Sequence, residues 1–236
     1  MATQIPPKPL VKGASSYRTT IALKMLMAVS GIFGIGFVLT HMYGNLKAFA
    51  GEEAFNEYAE HLRELGEPLL PHGGALWIMR VLLIVAVVIH VGCALVLWRR
   101  KEQARSVKYV MKRNRSSTLS SHWMRWGGVA LLLFIVWHLL NFSIGKVNVT
   151  GGPTDNPYAL LVDSFETWWL TLIYLLAMVA LAMHLRHGVW SAAQTLGLTN
   201  NVRARRNANA LGYIIAVVVA GGFSLVPIFI LAGVID

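Results

Sequence analysis

The chain has 236 residues, of which 56% are hydrophobic and only 14% are charged, and its mean hydropathy is +0.55. Soluble domains carry about a quarter charged residues, so this composition excludes an ordinary soluble enzyme and a disordered chain. The single cysteine, Cys93, excludes an internal disulfide framework, and it excludes an iron–sulfur cluster or a cysteine-rich zinc site built by this chain alone.

Five apolar stretches are long enough to cross the hydrocarbon core of a bilayer, which takes about 20 helical residues. The sequence therefore predicts an all-α integral membrane bundle that forms a single transmembrane domain over residues 1–236. A polar arm over residues 1–20 comes first, and it lacks the pattern of a signal peptide. The predicted spans are 21–43, 75–98, 124–144, 168–190 and 211–234.

The basic residues alternate between the predicted loops. They concentrate in the arm, in the loop after span two and in the loop after span four, whereas the other loops hold most of the acidic residues. By the positive-inside rule the N-terminus is cytoplasmic and the C-terminus lies outside. This pattern accounts for the net charge of +10 without nucleic acid as a partner.

Two segments of the outer loops have patterns of their own. Residues 52–65 carry Phe55, Tyr58, Ala59, Leu62 and Leu65 at helical spacing. This spacing predicts an amphipathic helix at the outer interface. Residues 151–153 (GGP) predict a turn.

Four histidines, His41, His90, His138 and His184, lie inside spans one to four, one in each. Ionisable residues at membrane depth are rare and point to a function. Spans one and three run outward and spans two and four run inward, so His41 and His138 share an outer level and His90 and His184 share an inner level. Two imidazoles at one level are what a bis-histidine haem needs, and two levels imply two haems. Hydrogen bonding or a proton relay is the alternative for any one histidine.

Four stretches resemble a known family, the cytochrome b558-type membrane anchor of succinate dehydrogenase and fumarate reductase, in the single-subunit five-helix form of respiratory complex II. They are residues 24–31 (KMLMAVSG), 41–46 (HMYGNL), 137–141 (WHLLN) and 184–197 (HLRHGVWSAAQTLG). The resemblance covers nearly the whole chain. It implies a subunit without dehydrogenase chemistry of its own, which binds a flavoprotein subunit and an iron–sulfur subunit at the cytoplasmic face of a bacterial plasma membrane.

The resemblance also implies the cofactors. Electrons from succinate would pass through two haems b to a quinone, commonly menaquinone, and the family's axial ligands fall on the four span histidines. His187 is the alternative to His184, because a residue three positions later on a helix can face the same side. By analogy the expected oligomer is a trimer of complexes.

Two other functions stay open. One is an anchor without haem b, whose histidines ligate a Rieske-type cluster completed by cysteines of a partner. The other is a membrane transporter with a histidine relay.

Two groups of residues are candidates for a quinone site, which needs an apolar slot and a few polar groups. The cytoplasmic group lies where an iron–sulfur subunit would dock, and its members are Ser15, Arg18, Ser121, His122, Trp123 and Arg125. The outer group is Glu64, Glu67 and Tyr43. The alternatives are interfacial anchors for the aromatic residues and solvated loop charges for the glutamates.

Overall fold

The structure is a computed structural model that describes residues 19–104, 119–144 and 154–236, with only the backbone described for 119–122 and 144. Most of the polar arm and the predicted turn at 151–153 lie outside the described residues. The described residues are helical and contain no strand. Their helices are α1 (Thr20–Leu46), α2 (Glu52–Glu64), α3 (Gly74–Gln103), α4 (Leu119–Leu139), α5 (Pro157–Glu166), α6 (Trp168–Thr195) and α7 (Val202–Leu231).

The predicted all-α fold with five spans is confirmed, because α1, α3, α4, α6 and α7 are long and apolar enough to cross a membrane. A 3-10 turn (Lys47–Ala50) extends α1, and a π-helical turn (Leu140–Ile144) extends α4. The orientation of the bundle stays a prediction.

The helices extend beyond the apolar stretches that predict them. α7 begins at Val202 rather than near residue 211, because the side chain of Asn201 accepts a hydrogen bond from the Ala204 amide at 2.8 Å and caps a polar first turn. α6 continues to Thr195 and ends at Gly197, whose φ of 76° closes the helix. The predicted loop between spans four and five is therefore mostly helix.

Two short helices cover one end of the bundle, which we call the capped end. The predicted amphipathic helix is confirmed as α2, which is seated on α1 where Gly44 meets the Tyr58 ring. The sequence did not predict α5, which begins at Asn156 and is largely buried. Asn156 caps α5 and also donates a hydrogen bond to Glu52, which joins α5 to α2.

The opposite end, which we call the basic end, contains the end of α3 and the start of α7. Its basic residues include Arg99, Arg100, Lys101, Arg203, Arg205 and Arg206. The bundle is centred on α6, which packs against α1, α4, α5 and α7. α6 and α7 approach closely at Gly212, where an added methyl group would lie 2.8 Å from the Arg186 carbonyl oxygen.

Two pairs of long helices stand apart. In the described part of the chain α1 and α4 do not pack closely against each other, and neither do α3 and α6. The first of these gaps separates the helices that carry His41 and His138, and the second separates those that carry His90 and His184. The fold thus leaves the space between histidine-bearing helices to side chains.

Candidate functional site: two histidine pairs

The structure brings His41 of α1 and His138 of α4 together across the first gap. Their ring centroids lie 5.7 Å apart with an interplanar angle of 79°. We call these residues the first pair. Two imidazole nitrogens about 2 Å from one metal ion, on opposite sides of it, would place the ring centroids about 6 Å apart. The observed separation fits a shared metal ion.

Aromatic rings enclose the first pair. Phe37 stacks on the His41 ring with centroids 5.2 Å apart and an angle of 11°. The other rings within about 6 Å of the pair are Phe223 beside His41 and Phe134, Phe142 and Tyr174 beside His138. This aromatic surround gives the two half-buried imidazoles a largely apolar environment.

A chain of polar groups reaches His138 from the capped end. The Tyr174 hydroxyl lies 3.4 Å from His138 Nδ1 and donates to Asn141 Oδ1 at 3.1 Å. The Asn141 amide in turn donates to the Ser164 hydroxyl at 3.4 Å. Asn141 and Ser164 are both 0% exposed. Buried polar groups of this kind are retained only where they are hydrogen-bonded.

The structure also brings His90 of α3 and His184 of α6 together, across the second gap. Their ring centroids lie 6.0 Å apart with an interplanar angle of 52°. We call them the second pair. His90 Nδ1 lies 3.1 Å from the Met27 carbonyl oxygen, which can only accept a hydrogen bond. His90 therefore carries its proton on Nδ1 and leaves Nε2 free to bind a metal ion.

Glycines on α1 and α4 flank the second pair. A methyl group at Gly31 would lie 3.2 Å from His90 Cε1, and one at Gly128 would lie 3.9 Å from His184 Cε1. His184 also borders a small cleft with Trp123 and Gly127. Its buried Nδ1 has no hydrogen-bond partner among the described residues.

Three helices give the same spacing between the two pairs. Contacts to the second and first pairs lie ten residues apart on α1 (Gly31 and His41), on α4 (Gly128 and His138) and on α6 (His184 and Tyr174). Ten residues rise about 15 Å. The pairs therefore lie at two levels, as the direction of the spans predicts.

The donor set of each pair fits haem better than a protein-built metal site. The described residues contain no group of three His, Cys, Asp or Glu side chains that could hold a metal ion. Each pair offers two imidazole rings from two helices, so the remaining ligands of a metal ion would come from another group. A porphyrin would supply four nitrogen ligands.

His187 lies one turn after His184 on α6, and within the described residues its ring does not stack on a ring of either pair, whereas the His184 ring lies 6.0 Å from that of His90. The geometry therefore favours His184, as the sequence does. Arg186 between them turns toward α7, with its guanidinium 4.2 Å from the Tyr213 ring centroid.

The candidate quinone residues do not gather into one site. Ser15 and Arg18 lie outside the described residues, and so do the side chains of Ser121 and His122. Trp123 is 50% exposed and borders the His184 cleft. Arg125 instead pairs with Glu102 at 3.0 Å.

The outer candidates are equally dispersed. Glu67 contacts His72 at 3.2 Å, Glu64 is exposed, and Tyr43 packs against Tyr58. None of these contacts involves a paired histidine.

Sequence reasoning did not single out Tyr174, Asn141 or Ser164. Asn141 could have been found, since it lies three residues after His138 in an apolar span and would share its face. Tyr174 and Ser164 carry no such signal, because their position beside α4 depends on how α5 and α6 pack.

Comparison with known proteins supports the resemblance. The family model described as the succinate dehydrogenase/fumarate reductase transmembrane subunit matches residues 99–222, which are 124 of the 236 residues and include His138 and His184. Comparison with curated proteins and with solved structures gives no significant match. The matched segment covers more than half of the chain, and the chain belongs to the family of succinate dehydrogenase/fumarate reductase transmembrane subunits.

Proposed function

We propose that the chain is a di-haem b membrane anchor that passes electrons between an iron–sulfur subunit and a membrane quinone, in the direction of succinate oxidation. The observation that carries the proposal is the presence of two imidazole pairs, with centroids 5.7 and 6.0 Å apart, at two levels of one bundle. When bound, each haem supplies a reversible one-electron carrier. Two such carriers about 15 Å apart along the helix axis would span much of a bilayer core about 30 Å thick.

The chain's own residues hold and insulate these carriers. His41 and His138 would hold one haem, and His90 and His184 the other. The Met27 carbonyl fixes the proton of His90 on Nδ1, so that Nε2 faces the metal ion. The aromatic rings around the first pair and the packed capped end exclude water from the path between the pairs.

The basic end is the proposed docking face for the flavoprotein and iron–sulfur subunits. Positive charge at the ends of α3 and α7 supports a cytoplasmic location for this end, in a bacterial cell in this proposal, by the positive-inside rule. The second pair is the nearer of the two to this end, so electrons from a docked cluster would reach it first.

The quinone, menaquinone in this proposal, binds near the cleft that Trp123 and His184 share. Trp123 combines an exposed ring with a position on the basic end of α4. A quinone there would lie close to both the docking face and the second pair. The outer candidates Glu64 and Glu67 would instead place quinone chemistry at the capped end.

The test is the visible difference spectrum of the purified complex, dithionite-reduced minus air-oxidised, with a pyridine haemochrome count. We expect two haems b for each copy of this chain. Absence of haem, with only the iron and acid-labile sulfide of a partner's clusters, would overturn the proposal and favour a cluster ligated by histidine. Absence of haem and of any tightly bound soluble subunit would favour a histidine relay.

A further inference from the structure

The polar groups that link Ser164 to His138 are not needed to build the bundle, because apolar side chains could fill the same space. It lies in the core of the capped end, beside Phe142 and Phe165. Replacing buried hydrogen-bonded groups by apolar groups of the same shape is often neutral for stability. Tyr174 contacts His138 directly, and Asn141 and Ser164 reach it through Tyr174, which suggests that the three groups act on His138.

With the Asn141 amide oriented so that Oδ1 faces Tyr174, proton counting assigns the direction of each hydrogen bond. A phenol has one proton, and that of Tyr174 is directed to Asn141 Oδ1 at 3.1 Å. Only the lone pairs of the phenol oxygen are then available to His138 Nδ1, 3.4 Å away. In this arrangement His138 donates from Nδ1, and its Nε2 is left unprotonated.

The second pair achieves the same tautomer by other means. His90 Nδ1 donates to the Met27 carbonyl at 3.1 Å, a shorter contact to a better acceptor than a phenol oxygen, and the Ser30 hydroxyl lies 3.4 Å from the same nitrogen. A backbone carbonyl belongs to the helix and cannot be changed by one substitution. The phenol of Tyr174 is a side chain and can be removed.

We propose that Tyr174, oriented by Asn141 and Ser164, is a positioning residue that holds His138 in the ligand tautomer and sets the redox potential of the first pair's haem independently of the second. This inference rests on the proposed function. A hydrogen bond from Nδ1–H makes an imidazole more basic toward its metal ion. A more basic ligand stabilises ferric iron, so the Tyr174 contact lowers the potential of the haem that His138 would hold.

The experiment is a spectroelectrochemical titration of the haems in the purified complex carrying Tyr174→Phe. The change removes one oxygen and keeps the ring that packs on Phe134 and Phe165. We expect the redox potential of the haem held by the first pair to rise by about 59 mV, which is a tenfold change in the equilibrium of a one-electron couple. The redox equilibrium of the haem held by the second pair should change by less than about twofold. A complex carrying His41→Ala, which keeps only the second pair, assigns the two potentials.

Tyr158→Phe is the matched control. Tyr158 lies in the same buried cluster, and its hydroxyl donates to the Asp236 backbone oxygen at 3.0 Å rather than to a histidine. The same atom is deleted and one hydrogen bond is lost, so a general effect of loosening the capped end would appear here too. We expect both potentials to stay at their wild-type values.

The outcomes separate the inference from the proposed function. If wild type binds two haems and Tyr174→Phe moves neither potential, or moves both equally, the inference is wrong and the di-haem anchor stands. If wild type binds no haem, both fail.

If Tyr174→Phe does not assemble, ring-deuterated tyrosine in the wild-type complex decides. The infrared redox difference spectrum should show tyrosine bands that titrate with the first-pair potential. Tyrosine bands that follow the other potential, or none at all, would overturn the inference.

Discussion

The two histidine pairs have similar ring separations but are surrounded by different groups. Side chains surround the first pair: five aromatic rings enclose it, and a phenol, an amide and a hydroxyl form the chain that reaches His138. The second pair combines backbone with a small side chain: the Met27 carbonyl accepts from His90 Nδ1, the Ser30 hydroxyl lies 3.4 Å from the same nitrogen, and Gly31 brings α1 against the His90 ring. Side-chain contacts can be removed by substitution one group at a time, whereas backbone contacts change only where an added side-chain atom displaces them.

This difference matters for two carriers in series. If the surroundings of both haems were identical, their redox potentials would be the same. The different hydrogen-bond acceptors beside His138 and His90 allow the redox potentials of the two haems to differ within one fold. The aromatic first pair should be sensitive to lost atoms, and the glycine-lined second pair to added atoms.

Removing a ligand should give the largest effect. Each of His41→Ala and His138→Ala is expected to remove one haem and keep the other, because the second pair lies about 15 Å away and shares no ligand with the first. His184→Ala should remove the other haem in the same way. The measurement is the pyridine haemochrome count for each variant, with the amount of chain in the membrane determined in parallel.

His187→Ala is the matched control for His184→Ala, since it lies one turn further along α6 and its ring does not stack on a ring of either pair among the described residues. It should retain both haems. Loss of a haem in His187→Ala but not in His184→Ala would exchange the two assignments. If any one of these single substitutions removed both haems, the two pairs would not bind haem independently.

An added side chain at Gly31 should be the next largest effect. The first atom of any side chain there would lie 3.2 Å from His90 Cε1, and Gly31→Leu would extend further into the space of the ring. Overpacking of this kind costs about 1–3 kcal/mol, which we expect to appear as loss of the second-pair haem. Gly36→Leu is the control, because an added methyl group there meets nothing within 4 Å. Equal haem content in the two variants would contradict the backbone setting of the second pair.

Much of this architecture could be predicted from sequence, because membrane depth and helix rise are simple geometry. The five spans and the two histidine levels follow from apolar length and from the direction of each span. The start of α7 could not be taken from hydropathy, since its first turns are polar and depend on the Asn201 cap. The short helix α5 was missed because its apolar residues face the bundle on nearly every side and show no amphipathic period.

The hydrogen-bond partners of the histidines lie beyond sequence reasoning for a different reason. They depend on the rotation of each helix about its axis, which packing determines. Met27 and Tyr174 belong to helices other than those of His90 and His138, so no spacing along one helix relates them. The Asn156–Pro157 pair, by contrast, is a recognisable helix start that indicates α5.

A smaller effect should separate the two ends of the bundle. Asn156→Ala removes the cap of α5 together with its link to Glu52 on α2, and a lost cap costs about 1–2 kcal/mol. We expect the first-pair haem to be lost at a temperature lower by a few degrees, measured from the Soret band on heating. Asn201→Ala removes an equivalent cap at the basic end and should spare the first pair. Equal sensitivity of the first pair to both variants would show that the capped end does not protect it specifically.

The smallest expected effect is a dependence of the capped end on alkaline pH. Burial, followed by the negative charges of Asp236 and Glu52, raises the pKa of the Tyr158 phenol above its usual value near 10. The folded state then holds this proton more tightly than the unfolded chain, so stability is fully present below pH about 10 and falls as the pH rises beyond it. Heating the complex at pH values from about 8 to 11 should show a steeper alkaline loss of the first-pair haem in wild type than in Tyr158→Phe, which has no proton to lose. Identical profiles would mean that α5 can loosen at Tyr158 without exposing the first pair, and the protection of that pair would then rest on its own aromatic rings.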